Sequence, residues 1–83
     1  MKKVKKFDYP NIDQKKTGSN IKDICKKRNI SVREIQNCLH IASNQAIYDW
    51  FNGKNMPSLD NLIALSKLLE VSIEDLVALK KKQ

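Results

Sequence analysis

Few side chains in this sequence could make or break bonds. Its 83 residues include one histidine, His40, and two cysteines, Cys25 and Cys38. The cysteines stand thirteen positions apart and neither belongs to a CxxC pair. A structural zinc ion wants about four ligands, so no metal is expected. Both cysteines read as free thiols in a reducing compartment, Cys25 on a core face and Cys38 as partly buried filler. With two glycines there is no phosphate-cradling loop, and no acid–base or nucleophile–base pair stands out. No catalytic residue, cofactor or small-molecule effector is expected. What remains is recognition chemistry. Asn44 and Gln45 are adjacent amides, each able to donate and accept side by side, as the major-groove edge of adenine requires. Tyr48 and Asp49 follow one helical turn later. Tyr48 could touch a thymine methyl or a phosphate, and Asp49 could accept from a cytosine amine.

A second set of residues suits phosphate. Ser31 and Arg33 sit where a helix is expected to begin, and free N–H groups and the helix dipole attract anions there. Ser43 caps the next helix, and Asn52, Lys54 and Asn55 follow that helix. Lys26, Lys27 and Arg28 close the first helix, where cations are common for dipole reasons alone. The formal charge is +7, but it is unevenly placed. Residues 1–16 carry six lysines against Asp8 and Asp13, and residues 80–82 are three lysines. Residues 17–79 hold seven basic and seven acidic side chains and are neutral overall. Among the acidic ones, Asp60, Glu70, Glu74 and Asp75 fall late in the chain, so a neutral body can still offer a positive side.

The elements that must hold these residues are helical. Glycine and proline are scarce, two each, which argues against a many-stranded fold. Ile21, Ile24, Cys25 and Arg28 follow helical spacing, with Thr17 or Ser19 as the expected cap. Ser31-Val32-Arg33-Glu34 reads as a capping box opening a second helix with Ile35, Cys38 and Leu39 inward. Ser43 opens a third helix of roughly nine residues, with Ala46, Ile47 and Trp50 inward, and Gly53 ends it. Pro57 prevents continuation and Ser58 caps a fourth helix with a stripe of Leu59, Leu62, Ile63, Leu65 and Leu69. Ser72-Ile73-Glu74-Asp75 opens a fifth, burying Ile73, Leu76 and Val77. The expected organisation is a basic, extended arm over 1–16, one compact all-α domain over 17–79 made of helices of about 8–12 residues, and a lysine-rich tail over 80–83. Phe7, Tyr9 and Ile12 are expected to pin the arm to the domain. No apolar run approaches the roughly 20 residues that cross a membrane, and no secretory signal is read.

A capped short helix, a tight turn, and a second short helix with polar residues at its start form the layout of a helix-turn-helix, whose second helix enters the major groove. The segment resembles the lambda repressor and Cro family of helix-turn-helix regulators, the xenobiotic-response-element class. The matching pieces are Ile21-Lys22-Asp23-Ile24, Ser31-Val32-Arg33-Glu34-Ile35, Gln45 through Gly53, Pro57 through Leu62, and Leu68 through Ser72. The resemblance implies a compact five-helix lambda-repressor-like domain. It implies a transcriptional regulator, a repressor in the first instance, bound to double-stranded DNA in the cytoplasm and nucleoid. It also implies a homodimer on a two-fold operator, formed in solution or only on DNA. Some small members act instead as antitoxins or anti-repressors, with a protein as main partner. The sequence departs from the family pattern at five places. Val32 stands where Gln is frequent, His40 and Glu70 stand where Gly is usual, Phe51 replaces a usual Glu, and the turn Leu39–Ser43 is one residue longer than the commonest form.

Overall fold

The computed structural model describes Phe7 and residues 9–81, and every structural statement concerns these. Lys2, Lys3, Lys5 and Lys6 of the expected arm, and Lys82 of the tail, lie outside the described residues. The fold is all-helical, with five helices in the order α1 (Gln14–Lys27), α2 (Val32–Leu39), α3 (Asn44–Phe51), α4 (Leu59–Leu69) and α5 (Ile73–Leu76). Helix α1 packs on α3 and α5, α2 on α3 and α4, and α4 on α5. Ile21, Cys25, Ile35, Ile47, Trp50, Leu65, Leu69 and Leu76 form the buried core. Helices α1, α3 and α4 each contribute a pair three or four positions apart, as an amphipathic helix must, and α2 and α5 one residue each.

Helix α1 begins at least four residues before the start the sequence suggests. Its cap is Asp13, whose carboxylate accepts the Lys16 N–H at 3.0 Å. Thr17 and Ser19 are not caps. Thr17 is fully buried. Its hydroxyl donates to the Asp13 carbonyl at 2.8 Å and accepts the Ala78 N–H at 2.9 Å. Three plausible cap residues compete within seven positions, and the contact with Ala78, 61 residues away, decides among them. Helix α5 is correspondingly short, four residues instead of about eight. At Val77 the chain turns extended and runs antiparallel to the arm. The Asp13 N–H donates to the Ala78 carbonyl and the Lys80 N–H to the Asn11 carbonyl, both at 2.8 Å. Backbone groups that a longer α5 would have satisfied find partners in the arm instead. Residues 11–13 are thus held by their main chain. Phe7, Tyr9, Ile12 and Leu79 are 72%, 78%, 49% and 54% exposed, so their side chains do not do the pinning.

Three further apolar expectations fail. Cys38 is exposed. The inner stripe of α2 runs through Val32, Ile35 and Leu39, and position 38 lies roughly a quarter of a turn from its centre. In α4, Leu59 and Ile63 are exposed, so the buried stripe narrows to Leu62, Leu65 and Leu69. Ile73 and Val77 are only half-buried, and Leu76 alone of α5 is fully covered.

His40 and Glu70 end α2 and α4 in the left-handed conformation, at φ of 55° and 57°. Asn29, at φ of 58° just beyond α1, is a third such residue. A Cβ in this region costs roughly 1 kcal/mol, and glycine removes that cost. Glu70 gains little in return, because its 3.8 Å ion pair with Arg28 joins two exposed side chains. His40→Gly and Glu70→Gly are each expected to raise stability by up to about 1 kcal/mol, less the extra freedom glycine gives the unfolded chain. Thermal melts should move upward by a few degrees. Melts that fall for both variants would contradict this account of the turns.

Candidate nucleic-acid interface

The geometry starts at the two helix openings. Ser31 and Glu34 form a reciprocal box: the Ser31 hydroxyl accepts the Glu34 N–H at 3.1 Å, and the Glu34 carboxylate accepts the Ser31 N–H at 3.0 Å. The box leaves the N–H groups of Val32 and Arg33, which have no partner within the helix, to meet an anion. Ser31 and Arg33 are both exposed. At α3, the Ser43 hydroxyl accepts the Gln45 N–H at 3.1 Å. Between the helices, left-handed His40 turns the chain and the Ile41 N–H returns to the Gln36 carbonyl at 3.0 Å.

Helix α3 is fixed from behind by Ile47 and Trp50, both in the core. Its other side presents Asn44, Gln45 and Tyr48, all exposed. Tyr48 stands edge-to-face on Phe51, with ring centroids 6.1 Å apart. Asp49 does not stand free beside them. It is half-buried, and its carboxylate accepts from the Gln45 amide at 3.0 Å and from the Asn55 amide at 3.4 Å. Its carbonyl accepts the Lys54 N–H at 2.8 Å and the Asn55 N–H at 3.3 Å. Both carboxylate oxygens therefore serve α3 and its following loop, a role beside the base contact expected of Asp49. Asn52 closes α3, and Lys54 and Asn55 follow it on the exposed loop. The Gln14 amide donates to the Gly53 carbonyl at 2.8 Å, tying that loop to the start of α1. The sequence reading missed Gln14, a residue of the expected arm.

Lys26 and Lys27 are exposed in the last turn of α1, while Arg28 faces Glu70. Cys25 lies in the core, and burial pushes its thiol up to about 11, which keeps it neutral and unreactive. A pocket of about 300 Å³ that the sequence did not disclose lies between α1, α2 and α3. Among the described residues no three His, Cys, Asp or Glu side chains gather as a metal site, and no helix is long and apolar enough to cross a membrane.

The order of helices, the capped turn between α2 and α3, and the outward polar edge of α3 define a helix-turn-helix domain. Residues 21–76 match the family model HTH_3, described as helix-turn-helix. The chain belongs to this family, the lambda repressor and Cro class of DNA-binding transcriptional regulators. No match is found among curated proteins or among solved structures.

Proposed function

We propose that this chain is a sequence-specific repressor that reads the major groove of double-stranded DNA with α3. The observation that supports it most is the outward edge of α3, where Asn44, Gln45 and Tyr48 are exposed beside a capped, anion-ready α2 terminus. Asn44, Gln45 and Tyr48 contact base edges, and Asp49 sets the orientation of Gln45. Ser31, Arg33, Ser43, Asn52, Lys54 and Asn55 hold phosphates on either side. No catalytic step and no cofactor belong to this reading. Repression needs only occupancy of a site, which a domain of this size can supply. The protein acts in the cytoplasm, on the nucleoid.

One copy offers few base contacts, so binding is by two copies on half-sites about 34 Å apart. Leu79, paired with Ile12 and exposed, and the outer side of α5 form the surface between copies, either in solution or only on DNA. The exposed Phe7, Tyr9, Ile12 and Leu79 also favour a second reading, in which the main partner is another protein, as for an antitoxin or anti-repressor.

Selection from random duplex DNA, followed by native mass measurement of the selected complex, distinguishes the two. The expected result is a two-fold motif with half-sites one helical turn apart and two chains per duplex. A motif without symmetry, carrying one chain, would refute the dimer. Failure to enrich any motif would favour the protein partner.

A further inference from the structure

The pocket between α1, α2 and α3 borders both the core and the proposed DNA face, and neither fills it. Its volume is about 300 Å³, at the lower end of the range of about 300–1,000 Å³ for small-molecule sites. Ile30, Val32 and Phe51 make its walls apolar, and Cys25 lies at its inner side. The Cys25 thiol is held neutral by burial, so it adds no negative charge there. The rim is different in kind. Lys22 and Lys26 stand one turn apart on α1, both exposed. Like charges at this spacing repel one another, and an anion placed between them relieves the repulsion. The one ion pair among the described residues joins Arg28 to Glu70, so neither lysine is paired with a described carboxylate. The remaining lining comes from Ser31, Tyr48 and Asn52, which also serve the proposed DNA face.

We propose that this pocket binds a small apolar carboxylate, its hydrocarbon body against Ile30, Val32 and Phe51 and its carboxylate at Lys22 and Lys26, and that the bound anion weakens DNA binding. The size fits a body of about two fused rings. The ring edges of Tyr48 and Phe51 suit an aromatic body, because aromatic pairs favour edge-to-face and offset contact. The effect on DNA follows from shared residues. A ligand that occupies Ser31, Tyr48 and Asn52 and brings a negative charge to the rim competes with phosphates for the same surface. This second half rests on the DNA-binding reading, whereas the first half does not.

The probe is 2-naphthoate, titrated into the full chain without DNA and followed by amide chemical shifts. Saturable one-to-one binding is expected, with shifts confined to the pocket lining. The neutral 2-naphthol should bind at least about tenfold more weakly, and 2-naphthylmethylammonium weaker still. The double variant Lys22→Gln/Lys26→Gln should lose about tenfold in naphthoate affinity with an unchanged melting temperature. Val32→Phe, which fills the pocket, should abolish binding; if it fails to fold, the lysine variant decides alone. No saturable binding, equal affinity for naphthoate and naphthol, or an indifferent lysine variant would overturn the site. For the coupling, saturating naphthoate should raise the Kd for the selected duplex by at least about tenfold in the parent chain and leave Val32→Phe unaffected. Naphthoate that binds without changing DNA affinity would overturn the coupling and leave the site standing. A chain that never binds DNA would refute the DNA reading, and the DNA-free titration would still decide the pocket.

Discussion

Gly18→Ala is expected to destabilise the fold by about 3 kcal/mol, although alanine is the better helix former. Gly18 is buried in α1 where that helix crosses the end of α3. A Cβ added there would lie 2.0 Å from the Trp50 carbonyl oxygen and 2.8 Å from that of Phe51. Both obstacles are backbone atoms, so no side-chain rotation can relieve the clash, and the helices must separate. Overpacking typically costs about 1–3 kcal/mol, and a backbone obstacle puts this site at the upper end. The helix-propensity gain of roughly 1 kcal/mol recovers only part of the cost. For a domain of 83 residues, with a thin core, such a loss is a large share of total stability. Gly53→Ala should also destabilise, because Gly53 has a φ of 74° and its added Cβ would lie 2.5 Å from the Lys15 Cα. Urea unfolding of both variants at constant m-value checks this. A Gly18→Ala midpoint within the error of the parent would mean that α1 and α3 do not cross so closely.

Gly18 also marks the limit of what the sequence discloses. The boxes Ser31/Glu34 and Ser72/Asp75 are legible because their donors and acceptors lie three residues apart, and both form as expected. Likewise Ser43, Ser58 and Gly53 are local signals, and each acts locally. The left-handed turns at His40 and Glu70 are legible from the resemblance, which has glycine there, whereas Asn29 carries no such cue. Features set by distant partners are not legible. The start of α1 depends on Ala78, the end of α5 on Asn11 and Asp13, and the need for Gly18 on the Trp50 carbonyl. The pocket needs three helices at once, so no stretch of sequence announces it. In the candidate interface, the outward positions of Asn44, Gln45 and Tyr48 follow from helical spacing alone. The spacing of Gln45 and Asp49, four apart on one helix face, also permits a hydrogen bond. Treating each residue separately missed that bond.

That bond shapes the second large expected effect, which is on DNA recognition. A carboxylate can only accept, so the face of the Gln45 amide turned toward Asp49 is its NH₂ group. The carbonyl oxygen and the second N–H remain free, and together they are the acceptor and donor that adenine requires. Gln45→Ala should therefore cost about 1–3 kcal/mol on the selected duplex and little on a scrambled one. Asp49→Ala leaves the reading groups in place but frees the side chain that carries them, so it should reduce the ratio of the two affinities by about 0.5–1.5 kcal/mol. The ratio is the proper measure, because losing a negative charge strengthens attraction to any DNA. Lys54→Ala should weaken both duplexes alike and lower the salt slope by about one unit. A chain lacking residues 1–10 should behave like Lys54→Ala with a larger change in slope, since the four lysines it removes attract phosphates of any sequence. That deletion stops short of Asn11 and Asp13, which bond to the chain after α5, and of the Asp13 cap on α1. Affinities on both duplexes across a salt series separate the two classes. If Gln45→Ala and Asn44→Ala leave the preference for the selected duplex intact, α3 is not the reading element. The exposed Phe7, Tyr9, Ile12 and Leu79 would then point to a protein partner as the main target.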